Sequence, residues 1–230
     1  MAFVEWYFPH YCLSKCAPFH EEFARWVAKE NDWTGFAEWP RGHAKSVWCN
    51  IFIPLWLWAR GEPMYLVIVG SSFDRAKALL SDVQAEFEAN EALLADYGDQ
   101  KMAGSWEDGR FTTKGGFTGQ AIGMGQSVRG LRKQAQRPTY CVVDDIETRD
   151  LVKNERRQRE IAQWIEKDLL QTMDGYPRRF IKANNRFAKR MVQTLLQERR
   201  PKWHIHHVKA FDPFTFEPTW STKYTADYWS

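Results

Sequence analysis

The chain has 230 residues, of which 44% are hydrophobic and 27% charged, and a formal net charge of +3. This size and composition fit one large globular domain, or a domain with a tail, and exclude a low-complexity or disordered polymer. No apolar run approaches the ~20 residues of a membrane span, and Met1–His10, with Glu5 and no basic start, is not expected to act as a secretory signal.

The first element predicted is a helix over Phe19–Glu30, followed by a short strand, Gly35–Trp39, that runs into Pro40-Arg41-Gly42-His43-Ala44-Lys45-Ser46. A helix follows from Val47 to about Arg60, bent or interrupted at Pro54, because proline lacks the N–H that a helix interior needs. Met64–Gly70 is a continuous apolar run, the pattern of a strand buried on both faces. Asp74–Asp96 reads as one long helix with Leu80, Val83, Phe87 and Leu94 at helical spacing, and Arg110–Lys114 with Thr118–Gly123 as a glycine-punctuated strand pair.

Tyr140–Asp144 is the second clear buried strand. A helix over Asn154–Met173, a strand over Arg179–Ala183, a helix over Phe187–Glu198 and a strand over Trp203–Lys209 complete the series. From Asp212 onward, proline and aromatic residues alternate with polar ones, which reads as an irregular linker. Apolar strands alternating with amphipathic helices predict an α/β fold with a mostly parallel central sheet flanked by helices. The expected organisation is a domain over residues 1–211 and a linker over 212–230.

Two segments carry chemistry. A phosphate-binding loop aims backbone N–H groups at phosphate oxygens, while a lysine reaches the terminal phosphates and a Ser or Thr hydroxyl ligates Mg²⁺. Pro40–Ser46 meets this with Lys45 and Ser46, but Trp39 and Ala44 stand where the pattern G-x-x-x-x-G-K-[ST] has glycines, leaving only Gly42. Tyr140-Cys141-Val142-Val143-Asp144-Asp145-Ile146-Glu147 is an apolar strand ending in carboxylates, the place where a metal-binding Asp sits beside the phosphates. A neighbouring carboxylate can take the proton of the attacking water. Loop first and acidic strand later is the order of P-loop NTPases, so Mg²⁺ and ATP are the expected cofactor and substrate, with Ser46 and Asp144 on the metal.

With these motifs, the chain resembles the ATPase domain of phage large terminase subunits, the motors that package DNA into procapsids. The likeness rests on Pro40–Ser46 as a variant loop of the form Pro-Arg-Gly-His-x-Lys-Ser. It extends to Cys16-Ala17-Pro18-Phe19-His20, Ser127-Val128-Arg129-Gly130, Ile181-Lys182-Ala183-Asn184-Asn185-Arg186 and Glu217-Pro218-Thr219-Trp220-Ser221. The resemblance implies a P-loop NTPase of the ASCE type, hydrolysing ATP to move double-stranded DNA. It implies a homo-oligomeric ring at a portal protein, a small terminase subunit as partner, and work in the host cytoplasm rather than the mature virion. It places Arg129 as an arginine finger, Asn184 and Asn185 in a coupling motif, and Tyr7–Phe19 around the adenine. The last motif resembles a connector toward a C-terminal nuclease domain. The family has Glu directly after the metal Asp, whereas here Asp145 stands there and Glu147 follows. Family geometry favours Asp145 as base and the longer reach favours Glu147.

Whatever the family, a guanidinium near the γ-phosphate offsets developing charge, and Arg41, Arg129 and Arg132 are candidates. His10, Cys12, Cys16 and His20 form a metal-like series whose spacing departs from zinc sites, and they read as packing at a domain edge. His204, His206 and His207 read as a solvated strand face. Basic runs at Arg129–Arg137, Lys153–Arg159, Arg178–Arg190 and Arg199–Lys202 suit phosphate contacts to DNA, or solvated helix faces. The rival readings are a helicase-like translocase and a nucleotide-binding scaffold without turnover.

Overall fold

The computed structural model describes residues 1–132, 135–174 and 176–228. In chain order the elements are α1 (Ala2–Tyr7), α2 (Pro18–Lys29), β1 (Asp32–Glu38), α3 (Lys45–Val47), α4 (Ile53–Ala59), β2 (Tyr65–Gly70), α5 (Phe73–Ala89) and α6 (Glu91–Tyr97). There follow β3 (Lys101–Glu107), β4 (Arg110–Thr113), β5 (Thr118–Gly123), β6 (Tyr140–Asp144), α7 (Arg149–Lys153), α8 (Glu155–Trp164), β7 (Arg178–Asn184), α9 (Val192–Arg199) and β8 (His204–His207). Among the described residues, eight strands form one sheet in the order β3-β4-β5-β2-β6-β7-β1-β8. The six strands from β5 to β8 in that order are parallel, and β4 and β3 join antiparallel at one edge. The fold is therefore α/β, with a mostly parallel mixed sheet flanked by helices.

Alternating side chains send the strands' apolar residues to two cores. Trp33, Ala37, Leu66, Ile68, Tyr140, Val142, Ile181 and Ala183 pack against α1, α2, α4 and α5. Phe36, Val67, Val69, Cys141, Val143 and Phe180 pack on the other face against α7, α8 and α9. Burial on both faces is why β2 and β6 carry continuous apolar runs rather than alternation. Because the strands run parallel, β2, β6, β7, β1 and β8 all end at one edge of the sheet. That edge collects Asp144, Asn184, Glu38 and His207.

Several boundaries differ from expectation for local reasons. The long helix breaks at Asn90, whose Oδ1 accepts the Leu93 N–H at 3.1 Å and caps α6. The helix after the Pro40–Ser46 loop starts at Lys45 and widens into a π-helical turn at Trp48–Phe52 ahead of Pro54. Proline cannot donate to Asn50 and its ring crowds that carbonyl, which a wider turn relieves. A short α7 precedes α8, each capped by a side chain, Thr148 and Asn154. Beyond Trp164 the helix passes through a π turn at Ile165–Leu169. Helix α9 starts only at Val192, because residues 185–190 form a loop. Strand β3 escapes sequence reading because it is largely solvated and shows no apolar alternation.

The segment after Asp212 is irregular, as expected, yet it packs on the domain. Trp220 is 7% exposed and donates its indole N–H to the Lys15 carbonyl at 2.7 Å. Farther from the site, Arg179, 1% exposed, staples α2 to the sheet: it donates to the Val27 carbonyl at 2.8 Å and to Glu62 at 2.7 Å. Arg179→Leu leaves those acceptors without their donor and should lower the unfolding free energy by about 2–4 kcal/mol in urea titrations. A loss below about 0.5 kcal/mol would show that water replaces the guanidinium freely.

Candidate active site

Trp39 anchors the start of the Pro40–Ser46 loop. It is 1% exposed, donates its indole N–H to His206 Nδ1 at 2.8 Å and meets Phe19 and Phe23 edge-on. His206 is thus buried, whereas His207, paired with Glu38, stays exposed and His204 pairs with Glu30, so only part of this strand is the solvated face expected. Gly42 has φ 76° and Ala44 φ 59°, both left-handed. The second glycine of the usual pattern thus falls on a position that needs positive φ, and Ala44 fills it with strain of about 1–2 kcal/mol.

His43 is buried inside the loop. Its Nδ1 donates to the Arg41 carbonyl at 3.1 Å, and its own carbonyl accepts from His20 Nε2 at 3.0 Å. Because His20 Nδ1 accepts the Ala17 N–H at 2.9 Å, the His20 proton sits on Nε2. Burial pushes His20 down to about 4 and lowers His43 as well, so both rings are neutral near pH 7. His20 stacks on Trp48 and His43 on Tyr224. Lys223 Nζ donates to the Gly42 carbonyl at 2.6 Å, tying the C-terminal segment to the loop.

Lys45 is 8% exposed and Asp144 2% exposed. Asn50 Nδ2, from the π turn, donates to Asp144 Oδ2 at 2.8 Å. Burial raises the Asp144 carboxyl above its ordinary range, opposed by the Ser46 hydroxyl, the Lys45 ammonium and the Asn50 amide. Among the described residues, Asp144 Oδ1 is buried with no hydrogen-bond partner, as suits a carboxylate oxygen that would face a cation. Ser46 and Asp144 together offer the hard oxygen donors that Mg²⁺ takes alongside phosphate and water oxygens.

Strand β6 ends at Asp144, and Asp145 turns the chain with φ 46° and an exposed side chain. Glu147 is used otherwise. It is buried, and its oxygens accept the backbone N–H groups of Val192 at 3.2 Å and Gln193 at 2.9 Å, with the Lys182 ammonium 3.6 Å away. Lys182 is fully buried and lowered by burial. Asn184 is buried with both amide atoms unpaired among the described residues, and the half-buried Asn185 lines a cleft of about 470 Å³ with Pro40, Arg41 and Arg186. Arg129 is exposed in the turn after β5.

His10, Cys12, Cys16 and His20 do not gather. His10 bonds Glu86 at 2.9 Å, both His20 nitrogens are engaged, and Cys12 and Cys16 face each other. Of the basic runs, Arg156, Arg157 and Arg159 pair with Glu160 and Glu155 along α8, and Arg199 and Arg200 pair with Glu166. Arg186, Lys189 and Arg190 are exposed in the loop between β7 and α9, whereas Lys133 lies outside the described residues. No helix among the described residues is long and apolar enough to cross a membrane.

The loop and acidic motifs predicted from sequence thus converge. Sequence reading missed Asn50, Glu38 and Gln193 and the anchoring contact of Trp39, whose partners are distant in the chain. Compared with known proteins, the chain matches no family model and no curated protein. Strain at Ala44 gives a direct check. Ala44→Gly should raise thermal unfolding stability by about 1 kcal/mol, relief of the left-handed conformation exceeding glycine's entropy cost. An equal loss would mean that the loop is not left-handed there.

Proposed function

We propose that the chain is a Mg²⁺-dependent ATPase of the P-loop class. The observation that carries this is the packing of Lys45, Ser46 and Asn50, all on the helix that follows the loop, around the buried Asp144. The position of β7 between the loop strand β1 and the acidic strand β6 supports the ASCE type, in which an added strand separates the two. Lys45 and the loop amides bind the phosphates. Ser46 and Asp144 would hold Mg²⁺, which would supply positive charge to offset that of the phosphates. A water oxygen attacks the γ-phosphorus while the bond to the ADP oxygen breaks, and Asp145 accepts the water's proton. Arg41 and Arg129 offset the charge of the transferring group.

Asp145 is assigned this role because it is exposed at a bend beside the metal carboxylate, whereas both Glu147 oxygens hold α9. A carboxylate so placed favours turnover over a non-hydrolysing scaffold. The motif likeness to large terminase subunits extends the reading to double-stranded viral DNA, packaged by a homo-oligomeric ring at a portal with a small terminase subunit, in the host cytoplasm. Asn184 and Asn185 couple the cycle to motion, and exposed Arg186, Lys189 and Arg190 beside them suit sequence-independent phosphate contacts. Glu217–Ser221 resembles the connector that joins the motor of large terminase subunits to a nuclease domain.

Phosphate release tests the reading. Lys45→Ala should abolish hydrolysis in a folded protein, and parental turnover would remove the loop from the site. Asp145→Asn should lose about 10²–10⁴-fold in kcat with ATP still bound. Glu147→Gln should instead lose about 1–3 kcal/mol of stability. A Glu147→Gln protein that is stable and inactive would move the base to Glu147. Turnover per chain should rise with protein concentration if Arg129 acts on a neighbour's site, and concentration-independent turnover would exclude that.

A further inference from the structure

Helix α9 is held from two directions by carboxylates that flank the site. Glu38 closes β1 just ahead of the phosphate loop. Its carboxylate, 5% exposed, accepts from Gln193 Nε2 at 2.7 Å, Gln197 Nε2 at 3.1 Å and His207 Nδ1 at 3.0 Å. Glu147 follows the acidic turn and accepts the backbone N–H groups of Val192 and Gln193. One residue belongs to both sets. Gln193, 1% exposed, donates its side-chain amide toward the loop strand and its backbone N–H toward the acidic turn. Because β7 lies between β1 and β6, no backbone ladder joins these two strands directly. Gln193 bridges them over β7.

We propose that Gln193 is a positioning residue, setting the separation between the phosphates held by the loop and the Asp145 carboxylate. The role rests on the ATPase reading above. Hydrogen bonds to buried carboxylates are short and directional, so a residue making one to each side transmits a fixed spacing. Displacing reacting groups by about 1 Å can cost on the order of 100-fold in rate. The side-chain amide is not needed to hold the helix down, since Val192 and Leu196 of α9 are already packed in the core. Gln193 acts through Glu38 and Glu147 and need not touch the nucleotide.

The test is Gln193→Met, which keeps length and bulk but removes the amide, together with the exchanged pair Glu38→Gln/Gln193→Glu, which reverses donor and acceptor. Stability, kcat and KM for ATP are measured, with amide hydrogen exchange over residues 145–147 as a readout independent of hydrolysis. Gln193→Met should lower kcat by about 10-fold or more at a KM within about 3-fold of the parent, with faster exchange in the turn. The exchanged pair should recover most of kcat. A folded Gln193→Met protein with parental kcat overturns the proposal, even if exchange quickens, and so does a loss explained entirely by the unfolded fraction. If Lys45→Ala hydrolyses ATP like the parent, the loop reading itself fails and the positioning role falls with it.

Discussion

The hydrogen bond from Asn50 to Asp144 joins the helix that carries Lys45 and Ser46 to the strand that carries the acidic pair. Both partners are buried, so neither can turn to water, and breaking the bond would leave a carboxylate and an amide to be desolvated without return. Asn50 reaches Asp144 from the π turn that accommodates Pro54. The same contact keeps Ser46 and Lys45 against Asp144, whose carboxyl burial alone would drive toward its neutral form. Ser46, Lys45 and Asn50 together favour the anion that a metal site requires.

Around that contact, the sheet edge is stiffened on both faces. On one face, Trp39, His20, His43 and Trp220 form a packed aromatic layer about the loop. On the other, Glu38 and Glu147 fasten α9. The loop lacks two of the usual glycines, and the structure supplies what they would have supplied by other means. Ala44 adopts the left-handed conformation at a local cost, and Trp39 is pinned by His206. Surrounding packing that over-determines a strained backbone is how such strain persists.

What was legible in the sequence was local. The buried strands Met64–Gly70 and Tyr140–Asp144 announced themselves by continuous apolar runs, and the loop and acidic pair lie within short segments whose chemistry is contiguous. What stayed hidden depends on long-range pairing. Glu38 looks like an ordinary strand end until Gln193 and His207 meet it, and Glu147 looks like a free carboxylate until α9 begins beside it. His206 follows the strand alternation that suggested a wet face, but Trp39 and Phe23 cover it. The tail from Asp212 carries no periodicity, and only Trp220, buried on Lys15, shows why an aromatic belongs there.

In the proposed function, the loop at Pro40–Ser46 and the strand end at Asp144 bind one Mg²⁺-nucleotide between them. A crystal structure with a non-hydrolysable ATP analogue and Mg²⁺ tests it most directly. The expected result is the β- and γ-phosphates against Lys45 and the loop amides, with the metal between Ser46 and Asp144 and Asp145 facing the γ-phosphate. An analogue bound elsewhere, or phosphates in the loop with the metal held away from Asp144, would contradict it.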